Sequence, residues 1–402
     1  MVFQTFVYII TCLAILVWLI DFLLIGTDWL FRIKIGRFKI DSTWNQSIVN
    51  KGKRWLNHTP RIRVTDNTRL IVIDMVRGNY ANTTIQHWQE AALLLGLAEA
   101  AKQDEELQEE IIRYMDRSFT KAGNWRKTPQ HIDGAILAYA LFKLDFIEVD
   151  KYRPALDATW KLILDHIGDD GTVQYRKANK TYRYVDTIGF ICPFLVAYGL
   201  RYQKEECISL AFKQIMEYKK YGLMEKSFIP CHAYEVNNKL PLGVYGWGRG
   251  LGWFGLGLID TWKELPSNHP AKEELEHLVV DFSRTIRQFQ NENGSWNSTV
   301  TRTESRADSS ATATLAWFLL NATEGILNHQ ENWLAAERAI HYLMTVTRRD
   351  GAIDFSQGDT KDIGVYASMF TIMPFTQGFA IRSMNLYRQK AISQNSKIKN
   401  VS

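Results

Sequence analysis

The stretch Gly246-Trp247-Gly248-Arg249-Gly250-Leu251-Gly252-Trp253 lies directly before an apolar run from Phe254 to Trp262. Glycines at this density let a backbone approach a ligand or a neighbouring helix closely. Tryptophan provides a flat apolar face, and arginine provides a planar fork of donors that fits a carboxylate. The stretch therefore predicts a pocket for an acidic sugar beside a helix, although tight helix packing around core tryptophans would explain the same residues.

Paired helices separated by turns of polar residues and glycine are predicted on both sides of this stretch. The turns lie at Gly123-Asn124-Trp125, Asp170-Gly171-Thr172, Asn293-Gly294-Ser295-Trp296 and Asp350-Gly351-Ala352. The predicted helices are Ala91–Ala101, Asp104–Phe119, Ile132–Leu144, Tyr152–Ile167, Thr187–Tyr202, Glu205–Tyr218, Trp253–Leu265, Ala271–Asn291, Ser310–Asn328, Trp333–Arg348 and Ala367–Gln389. Strand signals are few and short, at Arg69–Ile73 and Thr172–Tyr175.

Units of roughly fifty to sixty residues divide this body into about six helical hairpins. Hairpins of this kind each bury one face against their neighbours, and a stack of six closes naturally into a ring. The sequence therefore predicts an all-α fold, an (α/α)6 barrel of six helical hairpins. The long loops would then cluster at one mouth of the barrel and build the site there.

An apolar run near the N-terminus, Phe6–Ile25, is interrupted only by Thr11 and Asp21. About twenty residues of this kind match the hydrocarbon thickness of a bilayer. The run lacks the basic start and the small-residue cleavage site of a secretory signal. The sequence therefore predicts a single transmembrane helix. We expect an anchor over residues 1–31, a basic juxtamembrane segment over 32–63, the barrel over 64–390 and a flexible tail over 391–402.

Basic residues concentrate next to this predicted anchor. Residues 32–63 contain nine Lys or Arg and one acidic residue, while the net charge of the whole chain is +5. Such a segment fits contact with anionic lipid rather than with nucleic acid. By the positive-inside rule, the same charges predict that the barrel faces the cytoplasm.

The four cysteines are Cys12, Cys192, Cys207 and Cys231. They form no CxxC pair and have no metal-ligand spacing with histidine, so neither a disulfide framework nor a zinc site is predicted. We therefore expect carboxylates to carry the chemistry, without a metal.

Two aspartates, Asp133 and Asp186, stand at matching points, each at the start of a predicted inner helix. Either could act only as an N-cap, because aspartate is favoured there and complements the helix dipole. Both would project toward the same mouth, so we predict them as the catalytic pair, one carboxyl remaining protonated as an acid. The predicted substrate-binding residues are His131, Tyr184, His232, Trp247, Arg249 and Trp253.

Three motifs follow one another along the body: Val185-Asp186-Thr187 with Pro193-Phe194-Leu195, then His232-Ala233-Tyr234, then Trp247-Gly248-Arg249-Gly250-Leu251-Gly252-Trp253. In order and in sequence they resemble the unsaturated glucuronyl and unsaturated rhamnogalacturonyl hydrolases of glycoside hydrolase families 88 and 105. The last motif is that family's WGRGxGW signature, intact. The resemblance extends from about Trp88 to Phe379, whereas the N-terminal anchor and the segment Asp354–Asp359 depart from the family pattern.

The resemblance implies an (α/α)6 barrel and an unusual hydrolysis that needs no cofactor. Such enzymes act on oligosaccharides whose terminal uronic acid has a C4=C5 double bond. They protonate C4, add water at C5 and release the neighbouring sugar when the hemiketal opens. By this resemblance, Asp186 is the acid that also activates water, and Asp133 orients substrate or water and keeps the pKa of Asp186 high. His232, Arg249 and Trp253 hold the sugar, with Arg249 near its carboxylate.

Three other functions remain open from the sequence. A conventional inverting glycosidase could use Asp133 and Asp186 on a saturated chain. A membrane-tethered carbohydrate-binding protein without catalysis would retain the pocket but not need the acids. A lipid-binding protein would use residues 32–63, which leaves the tryptophan–arginine motif unexplained.

Overall fold

Helices dominate the structure, a computed structural model that describes residues 1–60, 69–77, 85–323 and 329–399. Within these ranges the helices are α1 (Val2–Arg32), α2 (Asp41–Asn57), α3 (Ile71–Val76), α4 (His87–Ala101), α5 (Glu105–Met115), α6 (Gly134–Leu141), α7 (Arg153–Leu164), α8 (Asp186–Tyr202), α9 (Glu205–Tyr221), α10 (Gly248–Glu264), α11 (Ala271–Gln288), α12 (Ser309–Asn321), α13 (His329–Thr345) and α14 (Pro374–Lys399). A short 3-10 helix, Val149–Tyr152, precedes α7.

The even-numbered helices α4 to α14 form a closed inner ring. Each contacts the next one along the chain, and α14 contacts α4. Most of their residues are apolar and buried, because an inner helix is covered on all sides. The predicted (α/α)6 barrel is confirmed.

Glycine makes the closing contact of this ring possible. A Cβ atom on Gly96 of α4 would lie 2.2 Å from the carbonyl oxygen of Gly378 in α14, and one on Gly378 would lie 2.0 Å from that of Ala92. These distances are too short for any side chain, so the two backbones cross in direct contact. In the glycine-rich stretch, α10 begins at Gly248, so Gly248, Gly250 and Gly252 lie in helix while Gly246 and Trp247 precede it.

The sixth hairpin joins the two ends of the chain. The outer helices α5, α7, α9, α11 and α13 each pack on the inner helix that precedes them, whereas α14 packs on α2. Trp44 and Ile48 of α2 are fully buried, and Trp44 Nε1 donates to Thr347 Oγ1 at 2.8 Å. The structure therefore differs from the predicted division at residue 64, because part of the segment assigned to the membrane surface belongs to the barrel.

The strands are short and lie in the loops. β1 (Tyr182–Tyr184), β2 (Ala233–Glu235) and β3 (Pro241–Leu242) form one antiparallel sheet, and β4 (Ser356–Gln357) pairs with β5 (Phe370–Thr371). The predicted strand Arg69–Ile73 is wrong, since α3 begins at Ile71. Of the predicted strand Thr172–Tyr175 only a single bridge from Val173 to Ile167 forms.

The two chain ends differ in their burial. No residue of α1 is buried, and its length, with a stretch of 18 residues whose mean hydropathy is 2.6, makes it a candidate membrane-spanning helix. Its Asp21 carboxylate accepts hydrogen bonds from the backbone N–H groups of Leu70 and Ile71 at 2.6 and 3.0 Å, at the start of α3. At the other end, α14 continues to Lys399, through most of the predicted tail. Residues 400–402, the basic residues 61 and 63 and the predicted helix end at 324–328 lie outside the described ranges.

Candidate active site

A polar pocket opens at the mouth of the barrel where the inner helices begin. The N-terminal ends of α4, α8 and α10 and the loops beside them supply its walls. The lining residues are Gln86, Trp88, Tyr175, Arg176, Asn179, Tyr184, Asp186, Phe190, His232, Arg249, Trp253, Asp359, Thr360, Lys361 and Asp362. Five predicted site residues are therefore together in one cavity: Tyr184, Asp186, His232, Arg249 and Trp253.

Asp186 is the first residue of α8 and has the environment of a proton donor. Its Oδ2 atom is buried and has no hydrogen-bond partner within the described ranges. Burial raises the pKa of Asp186 to about 7; the Arg249 guanidinium lowers it and the Asp359 carboxylate raises it. At neutral pH a substantial fraction of this carboxyl is protonated, and its free oxygen can give that proton to a bound molecule.

His232 lies immediately before β2, and its Nε2 is 3.8 Å from Asp186 Oδ2. Burial and the nearby Arg249 charge together lower the pKa of His232 to about 4, against the smaller opposing effect of the Asp362 carboxylate. The imidazole is therefore neutral, and this approach is not an ion pair. At 3.8 Å it is also too long for a hydrogen bond, which leaves both groups able to contact a ligand.

Arg249 is buried at the start of α10 and organises the opposite wall. Its Nη1 donates to the carbonyl oxygen of Gln357 at 2.5 Å, and its Nη2 donates to that of Gly358 at 2.7 Å. Arg249, which was predicted to lie near the carboxylate of the sugar, thus holds a loop of the pocket through two hydrogen bonds. Only its remaining N–H groups are available for a ligand.

Aromatic rings form the apolar surface of the pocket. Trp253 contacts Trp88 edge to face, with ring centroids 5.8 Å apart, and packs against Phe190 with centroids 4.6 Å apart. Such a surface suits the apolar face of a sugar ring. Trp88 and Phe190 were not predicted as site residues, because both occur in apolar helices where a core position is the simpler interpretation.

Trp247, unlike Trp253, lies behind the pocket. It is 1% exposed, its ring contacts His232 at a centroid distance of 4.6 Å, and its Nε1 donates to Gln357 Oε1 at 3.0 Å. Tyr184 lines the pocket instead, and its hydroxyl accepts a hydrogen bond from Asn179 at 3.0 Å. Trp247 is thus placed to support the histidine and the loop at Gln357 rather than to contact a ligand.

Asp133 lies outside the pocket lining, at the start of α6. Burial raises the pKa of Asp133, whereas His87 and His131 lower it. His131 is exposed and is not a lining residue. The lining residue Tyr175 lies within electrostatic range of both Asp133 and Asp186, since both carboxylates raise its pKa after the larger effect of burial. Both predicted catalytic carboxyls therefore act electrostatically on one phenol of the pocket lining, Tyr175.

Asp359 and the exposed Asp362 are two further carboxyls that line the pocket, and neither was predicted from the sequence. Burial raises the pKa of Asp359, while Arg249 and the N–H of Thr360 lower it. That N–H donates to Asp359 Oδ1 at 2.9 Å. Asp359 lies in the segment that departs from the family pattern, so no motif indicated it.

Comparison with known proteins shows a family match and similar folds. A model described as Glycosyl Hydrolase Family 88 matches residues 62–382. A possible member of family 105 from Salmonella enterica serovar Paratyphi A is 17% identical, with a TM-score of 0.73 over 88% of this chain and 96% of its own.

Two further solved structures share the fold. An unsaturated glucuronyl hydrolase from Bacillus sp. GL1, responsible for the degradation of glycosaminoglycan, is 14% identical, with a TM-score of 0.62 over 84% of this chain and 94% of its own. A variant complex with the oligosaccharide dGlcA-Glc-Rha-Glc is 15% identical, with a TM-score of 0.63 over 86% of this chain and 95% of its own. This chain belongs to glycosyl hydrolase family 88, and it is a glycoside hydrolase.

Proposed function

We propose that this enzyme removes a terminal C4=C5 unsaturated uronic acid from an oligosaccharide by hydrating the double bond. One observation supports this most strongly. Asp186 has a pKa of about 7, a buried oxygen without a partner in the described chain, and a cationic group, Arg249, beside it. The solved relatives add support, since two of them are unsaturated glucuronyl hydrolases, one of these specific for heparin.

The proposed reaction begins with proton transfer from Asp186 Oδ2 to C4 of the vinyl ether. Positive charge then develops at C5 and on the ring oxygen, and the Asp186 carboxylate that forms stabilises it. Water adds to C5 and loses a proton to this carboxylate, which restores the acid. The bond from C5 to the ring oxygen of this hemiketal then breaks, which gives a ketone at C5 and leaves a hemiacetal at C1. The hemiacetal collapses to an aldehyde as the C1–O bond to the neighbouring sugar breaks, and that sugar leaves with its hydroxyl group. The net change is the addition of one water molecule.

The second carboxyl that keeps Asp186 protonated is, in this proposal, Asp359 rather than Asp133. Asp359 lines the same pocket and its charge raises the pKa of Asp186, whereas the charge of Asp133 is not among the influences on Asp186. Asp133 acts in the proposal through Tyr175, which it reaches electrostatically from α6. The prediction that Asp133 orients substrate or water remains untested.

The uronate carboxylate would be recognised by cations that face the cavity. Arg176 and Lys361 line it, and Arg249 contributes the N–H groups that Gln357 and Gly358 leave free. The sugar ring would stack on Trp253, and the neutral His232 would donate to a hydroxyl. This division gives the charged end and the apolar face of the sugar separate binding surfaces.

A conventional glycosidase acting on a saturated chain is the second candidate. It is favoured by the presence of a further carboxyl, Asp359, in the pocket of Asp186, because inverting hydrolysis needs an acid and a base. The rate of that reaction would not depend on the terminal double bond. It would also make the two carboxyls similarly essential.

Matched pairs of oligosaccharides that differ only in the terminal double bond distinguish the two candidates. We expect the conjugated uronate to lose its ultraviolet absorbance with time, and the saturated partner to remain intact by mass spectrometry. Substrates prepared with lyases from pectin, glycosaminoglycan and rhamnogalacturonan would reveal the preferred polysaccharide. Cleavage of the saturated partners at comparable rates would favour the conventional glycosidase, and no cleavage of either would contradict both.

We propose further that α1 anchors the enzyme in a membrane. Its length and apolar character support this, and Asp21 is partnered by the N–H groups at the start of α3, which lessens the cost of a carboxylate at this depth. The basic residues after α1 favour a cytoplasmic barrel. Protease protection of intact and opened vesicles tests this orientation: digestion of the barrel in vesicles with the extracellular side outward would contradict it.

A further inference from the structure

One wall of the pocket is a hairpin made of residues 354–371, here called the pocket hairpin. Its strands β4 and β5 pair through Ser356 with Thr371 and Gln357 with Phe370. The segment between the strands supplies four lining residues, Asp359, Thr360, Lys361 and Asp362. The geometry of this wall therefore depends on what holds the base of the hairpin.

Arg32, the last residue of α1, binds both sides of that base. Its Nε and Nη2 atoms donate to the two carboxylate oxygens of Asp354 at 2.8 and 2.9 Å. The same Nη2 donates to the carbonyl oxygen of Phe370 at 2.9 Å. A planar guanidinium with several fixed donors can join one side of a hairpin to the other in this way.

The residue between this contact and β4 is in a strained conformation. Phe355 has a φ of +59°, which is rare for a bulky side chain and persists only when the surroundings enforce it. The guanidinium groups of Arg32 and Arg306 each lie 4.9 Å from the Phe355 ring centroid. The Phe355 N–H also donates to the Asp354 carboxylate at 2.7 Å. Arg32 is thus part of the contacts that maintain the strained turn.

We propose that Arg32 is a positioning residue of the active site, through which the N-terminal helix holds the pocket hairpin and its carboxyl Asp359 in place. Asp354 is four residues before Gly358, whose carbonyl oxygen Arg249 binds. Arg32 therefore holds the hairpin at its base and Arg249 holds it where it enters the pocket, beside the contacts of Arg348 with Asp354 and of Trp247 with Gln357.

One partner of this contact lies outside the part of the chain that the family model matches. The match begins at residue 62, and Arg32 precedes it. The Arg32 contact can also be removed without unfolding the barrel, for the following reason. Asp354 is fully buried and binds a second cation, Arg348, whose Nε donates to Oδ2 at 2.7 Å. When Arg32 is removed, the Asp354 carboxylate keeps this partner, so we expect the barrel to remain folded.

Hydrogen exchange of the full-length protein in detergent tests the proposal. In Arg32→Ala we expect exchange in residues 356–371 to accelerate by about tenfold, because a charged hydrogen-bonded contact is lost locally. Exchange in α8 and α10 should remain as in the wild type. Arg32→Lys should restore part of the protection, since an ammonium group can bind the carboxylate but not both of its oxygens in a planar fork. Lys34→Ala, which removes an exposed cation two residues away, is the matched control.

Kinetics of the same variants provide the second readout, and this part rests on the proposed function. We expect KM for the unsaturated substrate to increase about tenfold in Arg32→Ala, with a smaller change in kcat, because Asp186 is on α8 and not on the hairpin. Unchanged exchange in residues 356–371, or equal acceleration throughout the barrel, would overturn the proposal. If the wild type cleaves no unsaturated substrate, the proposed function fails and the exchange result alone decides the role of Arg32.

Discussion

Asp260 and Asp186 are buried carboxyl groups at opposite mouths of the barrel, and they differ in their hydrogen-bond partners. At the mouth opposite the pocket, Asp260 of α10 accepts hydrogen bonds from Arg382 at 2.7 Å and from Trp317 Nε1 at 2.8 Å. Glu264 there accepts a hydrogen bond from Tyr139 at 2.7 Å and pairs with Lys143. At the pocket mouth, Asp186 Oδ2 has no partner in the described chain, and His232 is neutral.

This difference separates two uses of buried charge in one fold. A buried carboxylate whose oxygens all have hydrogen-bond partners keeps its charge and stabilises the packing of the helices that it joins. Its removal leaves the charge of its partner buried and unpaired. A carboxyl without complete partners has a raised pKa and is ready to exchange a proton. We therefore expect variants at the two mouths to affect stability and catalysis in opposite ways.

Asp186→Asn should produce the largest effect on catalysis. Removal of a general acid lowers kcat by about a thousandfold. The free energy of unfolding should be unchanged or slightly higher, because an uncharged amide replaces a buried ionisable group that lacks a partner. Steady-state kinetics and chemical denaturation measure the two effects. Near-normal turnover would exclude Asp186 as the acid.

Asp260→Ala should produce the opposite result. It leaves Arg382 buried without its carboxylate, which we expect to lower the free energy of unfolding by about 3–5 kcal/mol. The double variant Asp260→Ala/Arg382→Met should recover much of this loss. Denaturant titration gives the stability, and kcat per folded molecule should match the wild type. A large fall in kcat with unchanged stability would contradict the division between the mouths.

The pH dependence of kcat tests the partnership of the two pocket carboxyls. Asp186 must be protonated to act, so kcat should fall as the pH rises through about 7. Asp359→Asn removes a negative charge that raises the pKa of Asp186, so the descent should move to lower pH. Asp362→Asn is the control, since this exposed carboxyl lines the pocket but is not among the influences on Asp186. If kcat of Asp359→Asn falls over the same pH range as in the wild type, Asp359 does not raise the pKa of Asp186.

Trp247→Phe should have the smallest effect. The phenyl ring can keep the contact with His232, but the hydrogen bond to Gln357 Oε1 is lost, at a cost of about 1 kcal/mol. We expect kcat/KM to fall about fivefold, as this cost implies. Trp262→Phe, in the helix that Trp247 precedes, is the matched control, because the buried Nε1 of Trp262 has no partner in the described chain. Equal losses in both variants would show that only packing changed.

The helical ring could be predicted from the sequence because each inner helix has a marked apolar pattern and a glycine turn after its partner. The outer helix α2 was missed for a physical reason. Its buried residues, such as Trp44, Ile48 and Trp55, lie between charged and polar residues such as Lys51 and Lys53, so the apolar periodicity is weak in the sequence. Its partner α14 is also more than three hundred residues away in sequence.

The pocket could be predicted in part. Asp186, His232, Arg249 and Trp253 were identified because they lie in short motifs with distinct chemistry. Asp359 and the contacts of Arg32 could not be found in this way, because they depend on where a loop and a terminal helix meet after the ring has closed. Asp133 was placed correctly at a helix start, but the sequence gives no measure of its distance from Asp186.

Hydrolysis in deuterated water tests the central claim most directly. If Asp186 protonates C4 of an unsaturated uronate, the released product should contain one deuterium on carbon at C4, detected by NMR and mass spectrometry. Asp186→Asn should form this product at about a thousandth of the wild-type rate. A product formed by the wild type without deuterium on carbon would contradict double-bond hydration and establish direct cleavage of the glycosidic bond.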